Sequence, residues 1–165
     1  MTEASCGFQD KGDGIGRGLL IQRGPTLKVD LGFDENYEVN SPNRLAKLPI
    51  LGIEALIDTG ASASCIDAGL AIQLHLPIIN RSTFAGVGGL HHFNVHLAQI
   101  RSPELKFTFY GAFAGVDLAA GGQRHSVLIG RDFLSHFRMI YDGPSGVVTL
   151  ADSEPSIRHE MWPDE

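Results

Sequence analysis

The stretch Ala55-Leu56-Ile57-Asp58-Thr59-Gly60-Ala61-Ser62 decides how this chain is read. An apolar run with strand character delivers a carboxylate at its end, and a charge there is costly unless its surroundings stabilise it. Thr59 sets a hydroxyl beside the acid. Gly60 removes a side chain where another backbone or a substrate must approach closely. Ala61 and Ser62 keep the turn small, so that it can present a carboxylate, held by backbone donors, at the floor of a cleft. The tripeptide Asp58-Thr59-Gly60 carries little weight alone, because residues this common meet by chance.

Features on either side sharpen it. Downstream, residues 84–100 read as two extended segments folded around Gly86-Val87-Gly88-Gly89, a hairpin with a glycine tip. Further on, Val127-Leu128-Ile129-Gly130 is a short buried strand closed by glycine, followed by a brief helix over 131–136. Upstream, Leu27, Val29 and Leu31 alternate with Lys28 and Asp30, the pattern of a half-buried strand. A polar loop over 33–48 leads to a strand over 53–57. Asp67 is an N-cap for a helix over 68–74 that Pro77 stops. Leu105, Phe107 and Phe109 alternate in a further strand, and 138–142 with 147–150 form a hairpin around Gly143-Pro144-Ser145-Gly146. The expected fold class is all-β with one or two short helices.

A chain of 165 residues has room for one domain plus arms. Glycine-rich residues 1–24 are expected as a flexible N-terminal arm, with Leu19-Leu20-Ile21 as a candidate short strand. Residues 25–152 form the domain and 153–165 a polar C-terminal tail. The glycines of 12–18 fit neither the G-x-G-x-x-G nor the P-loop spacing. A formal net charge of −6, with no cluster of Lys and Arg, argues against a nucleic-acid partner. The N-terminus has no secretory pattern, no apolar run is long enough to span a membrane, and Cys6 and Cys65 make no disulfide framework. A soluble protein of a reducing, cytoplasmic compartment is expected. His91, His92 and His96 do not make a metal site: on a strand His92 and His96 stand about 13 Å apart, and no cysteine pair or carboxylate completes a set. Cys65 reads as a buried free thiol, and no G-x-S-x-G elbow supports a serine hydrolase.

Taken together, the 55–61 motif, the Ala85-Gly86-Val87-Gly88-Gly89 tip and Val127-Leu128-Ile129-Gly130-Arg131-Asp132-Phe133-Leu134 resemble the retropepsin family of retroviral-type aspartic proteases. The helix ending in Leu76-Pro77 and the closing hairpin are similar to its cellular and bacterial branch. Arg23 lies where the family keeps an arginine; Ser62 stands where viral members commonly carry an aspartate. The resemblance implies a single-lobe acid-protease β-barrel with a flap, no cofactor and no metal. It assigns Asp58, Thr59 and Gly60 to catalysis, and Leu56, Ala61, Cys65, Gly86, Val87, Gly88, Gly89 and Leu128 to substrate binding.

The chemistry of that family needs two carboxylates that share one proton and titrate as a unit. One deprotonates a water attacking the peptide carbonyl while the other, protonated, polarises that carbonyl. This chain has a single Asp-(Thr/Ser)-Gly, so the second aspartate must come from a second copy across a two-fold axis. The expected species is a homodimeric endopeptidase that binds a polypeptide as an extended strand; the alternative is a dimerisation or peptide-binding module of the same fold without catalysis.

Overall fold

The computed structural model describes residues 1–39, 41, 44–86 and 88–152. In chain order they form β1 (Glu3–Ser5), α1 (Ile15–Arg23), β2 (Thr26–Gly32), β3 (Ile50–Ile57), β4 (Cys65–Asp67), α2 (Ala68–Gln73), β5 (Ile78–Gly86) and β6 (Gly89–Ser102). There follow β7 (Phe107–Val116), β8 (Val127–Ile129), α3 (Arg131–Leu134), β9 (Phe137–Asp142) and β10 (Val147–Asp152). The chain is mostly β, as its alternating pattern predicts. The tail expected over 153–165 lies outside the described residues, as does Val87.

The larger sheet runs β2-β3-β8-β4-β7-β6-β5, and a further pairing of β2 with β6 closes six of these strands into a barrel. β8 sits inside the ring, parallel to β3 and antiparallel to β4. Strand alternation sends Leu27, Val29, Leu31, Ile57, Ile129 and Phe113 into one continuous core. β5 hangs from β6 as the outer arm of a long hairpin. Leu105, expected in a strand, is instead buried in the β6–β7 turn, where its N–H donates to the Ser102 hydroxyl.

A buried ion pair fastens the seam. Asp30 and Arg101 are partners in the β2–β6 register, and Arg101 donates to Asp30 Oδ2 from Nε at 2.9 Å and from Nη2 at 2.7 Å. Asp30 Oδ1 accepts the Gly52 N–H, and Arg101 Nη1 donates to the Ala46 carbonyl. The same arginine therefore holds the 33–48 loop. Gln99 adds a two-way clasp, accepting the Asp34 N–H at 2.6 Å and donating to its carbonyl at 3.0 Å. The α2 cap is as expected: Asp67 accepts the Leu70 N–H at 3.3 Å. Its other oxygen takes the Ala119 N–H, and these backbone donors, Ala119 foremost, hold the carboxyl below its ordinary value.

Residues 1–24 depart from the arm inferred from their glycine content. β1 pairs with β10, and Leu19-Leu20-Ile21 lies in α1 rather than in a strand. Asp10 organises the turn before that helix, accepting the N–H groups of Gly12, Gly14 and Arg17. At Gly7 and Gly16 the segment packs too closely for a side chain. Gly146 has φ +71, and a Cβ there would lie 2.2 Å from the Phe8 carbonyl oxygen. Buried Leu20 and Cys6 join the same core.

Replacing Arg101 with Met should destabilise the protein by about 3–5 kcal/mol, because Asp30 is left charged and buried. Urea unfolding checks this. Adding Asp30→Asn to the same chain should recover part of the loss.

Candidate active site

Asp58 leaves the end of β3 at the height of Ile129 on β8. Leu56 and Ile57 pair with Leu128 and Ile129, and the Asp58 N–H donates to the Ile129 carbonyl at 2.9 Å. The chain then turns back on itself. Gly60 N–H donates to Asp58 Oδ1 at 2.9 Å, and Ala61 N–H to the Asp58 carbonyl at 3.2 Å. A Cβ on Gly60 would stand 3.0 Å from that same carboxylate oxygen. The carboxylate is thus held by a backbone donor and remains half-buried, with Thr59 and Gly60 exposed beside it.

Beneath the turn lies a polar support. Ser64 is completely buried. Its hydroxyl donates to Asp132 Oδ1 at 2.7 Å and accepts the Gly130 N–H at 3.0 Å, and its N–H is shared by both Asp132 oxygens. Asp132 also accepts the N–H of Phe133. Arg131 closes the far side, its N–H donating to the Ala61 carbonyl and its Nη1 to the Thr59 carbonyl at 2.7 Å. Gly130 is required here because a Cβ would meet the Ala63 carbonyl carbon at 2.6 Å. In the sequence Asp132 stands inside a motif without a role of its own, and Ser64 carries no signal. Nothing in either residue's neighbourhood marks a pairing across 68 positions.

In front of the turn, Leu56, Leu128 and Cys65 stand in register on β3, β8 and β4, and the row continues through Ala114 on β7 to Val95 on β6. All five are half-buried, whereas Ile57, Ile129, Ile66 and Val127 beside them are buried. The alternation therefore turns this row away from the core. Three of its members were singled out from sequence; Ala114 and Val95 were missed, although the period-two pattern of their strands was the available signal. The Cys65 thiol is pushed above its ordinary value, chiefly by burial and further by the negative charges of Asp132 and Asp58. Both influences disfavour the thiolate that a nucleophilic cysteine requires.

The other predicted residues fall on the β5–β6 hairpin. Gly86 pairs with Gly89 at its tip, and Gly88 and Gly89 take φ of 98° and 113°, open to glycine and strained for other residues. Val87, the remaining assignment, lies outside the described residues. His96 is buried on β6 with Nδ1 against the Leu76 carbonyl at 3.2 Å, whereas His91 and His92 are exposed. Among the described residues no group of three or more His, Cys, Asp or Glu could hold a metal ion. A cavity of about 760 Å³ lies along the β5–β6 hairpin beside α2, lined by Ile72, Arg81, Phe84, Leu90, His96 and Asp117 among others; it does not include Asp58. Among the described residues no helix is long and apolar enough to cross a membrane.

Two measurements probe this region. Ser64→Ala leaves the Gly130 N–H and Asp132 without their shared partner and should lower stability by about 1–3 kcal/mol, whereas exposed Ser62→Ala should change it little; thermal unfolding compares them. His125, in the loop before β8, is buried with Nδ1 unpartnered among the described residues. Burial, the largest influence, pushes its imidazole below the ordinary 6.5; Glu54 opposes this and Arg124 adds to it. The unfolded chain therefore takes up the proton first, and stability falls as pH drops below that value. Unfolding midpoints between neutral and mildly acid pH should lose part of this slope in His125→Phe.

No family model matches the chain, and no curated protein matches it. Among solved structures it is similar to the EIAV protease complexed with the inhibitor HBY-793, with 18% identity and a TM-score of 0.42, over 67% of this chain and 85% of that one.

Proposed function

We propose that this chain is an aspartic endopeptidase that acts as a homodimer, each copy contributing Asp58. The observation that carries the reading is the Asp58 turn itself. A carboxylate is fixed by the Gly60 N–H, braced from below by Ser64, Asp132 and Arg131, and set behind a row of apolar side chains. A rigid, half-buried acid beside a row of half-buried apolar side chains suits general acid–base attack on a bound peptide.

The chemistry needs a second acid, and Asp132 does not supply it, since both of its oxygens are committed to Ser64 and Phe133. A second copy of Asp58 does. In the paired site, one Asp58 carboxylate takes a proton from water as that water attacks the carbonyl carbon. The other, protonated, donates to the carbonyl oxygen. The tetrahedral species then collapses, with the proton passed to the leaving nitrogen. Leu56, Leu128 and Cys65 would line the subsites and favour apolar side chains beside the cut. The β5–β6 hairpin, with its glycine tip, would close over an extended peptide as a flap.

Purified protein should cleave an unstructured peptide containing bulky apolar pairs, and dilution should lower the rate more steeply than concentration. Asp58→Asn should reduce turnover by about 10²–10⁴-fold while leaving fold and dimer in place, since amide and carboxyl are nearly the same size. Undiminished turnover by the mutant would overturn the reading. A wild-type dimer that binds peptides without cutting them would favour the non-catalytic alternative.

A further inference from the structure

The cavity along the β5–β6 hairpin has an apolar, aromatic rim and one buried polar group. Ile72 of α2, Phe84 of β5 and Leu90 of β6 line it, and all three are large apolar side chains left exposed. Phe84 stacks on His91 with ring centroids 5.1 Å apart, and tilts against Phe93 at 5.9 Å. The buried polar group is His96, which is 2% exposed. Its Nδ1 lies 3.2 Å from the Leu76 carbonyl. A carbonyl oxygen only accepts, so Nδ1 carries the hydrogen and Nε2 of the neutral ring is left as an acceptor. Among the described residues Nε2 has no hydrogen-bond partner, and it is not one of the fully enclosed polar atoms. Gly115, also on the wall, makes room for it: a Cβ there would stand 2.8 Å from Nε2.

We infer that this cavity binds a small, neutral, fused aromatic molecule that carries one N–H or O–H donor. The donor meets His96 Nε2, and the ring lies against Phe84 and Ile72. Each part of this assignment has its own reason. A buried acceptor is costly unless a donor reaches it, so the occupant brings one. Aromatic rings that already lie against each other extend the stack to a further ring. Apart from its histidines, the charged side chains of the lining are Arg81 and Asp117, opposite in sign, so the wall selects neither an anion nor a cation. A volume of about 760 Å³ falls in the range of small-molecule sites and exceeds what any single side chain fills. A whole molecule therefore suits it better than one residue of a partner protein. The walls come from α2, the hairpin and the end of β7, so the occupant touches three elements at once. The site excludes Asp58, and its ligand is separate from any peptide held there.

Indole and benzofuran test the site as a pair, since they share a shape and benzofuran has an oxygen in place of the N–H. Titrated into nitrogen-15-labelled protein and followed by nuclear magnetic resonance, indole should shift the amides of Ile72, Leu90 and Gly115. It should bind at least about tenfold more tightly than benzofuran. His96→Phe should erase that difference. Because His96 also holds the Leu76 carbonyl, Ile72→Asp serves as a second variant. It changes an exposed position of α2, should leave thermal unfolding unchanged, and should weaken indole binding at least about tenfold by charging the apolar wall. Asp58→Asn should leave indole binding unchanged. Equal affinity for the two probes overturns the site, as does binding that is indifferent to Ile72→Asp or lost in Asp58→Asn. A tryptophan-containing peptide that displaces indole and binds more tightly overturns the small-molecule assignment in favour of a partner protein.

Discussion

The barrel depends on how three residues of β8 are accommodated between β3 and β4. Leu128 is paired on both sides, Val127 with Ile66 of β4 and Ile129 with Ile57 of β3, so the strand is held from both edges. It then passes straight into Gly130, whose missing side chain lets it lie against the backbone of Ala63 and Ser64. That close approach keeps the turn after Asp58 and the start of α3 in one rigid piece. With any other residue at that position the two backbones must separate, and the hydrogen bonds joining Ser64, Gly130 and Asp132 would be lengthened together.

The buried polar groups act as joints at the places where the topology has no redundancy. Asp30 with Arg101 lies at the one seam where β2 meets β6. Gln99 with Asp34 anchors the chain just after β2. Ser64 with Asp132 ties together segments far apart in the chain. Each is costly to desolvate and each is satisfied, so a slipped register would leave a buried charge or donor without its partner. The seam therefore penalises its own errors, which an apolar seam of equal area would not do.

Much of the barrel was legible because its signals are local. The alternation of Leu27, Val29 and Leu31, the cap at Asp67 and the glycine tip at 86–89 depend on residues within a few positions of each other. What escaped was non-local. Glycines in 1–24 suggested freedom, but Gly7 is pressed by the backbone of Gly146 and Val148 at the other end of the chain, and Gly16 by that of Phe8 and Asp10 across a turn. A serine and an aspartate become a support only when the fold brings them together, and Ala114 joins the apolar row only through the parallel pairing of β4 with β7.

The joining of β1 to β10 has a kinetic consequence. Thr2 and Asp152 are hydrogen-bonded across 150 positions, so β1, made before the other described strands, finds its neighbour only when nearly all of the described chain exists. Contacts of such high sequence separation are slow to form, because the entropy of closing the intervening loop must be overcome before any pairing energy is gained. On the ribosome the barrel strands β2 to β8 can assemble while β1 and Cys6 are still without their β10 neighbours. The early-made segment is therefore the late-folding one, and during that interval it presents an uncovered strand to any chaperone or neighbouring nascent chain.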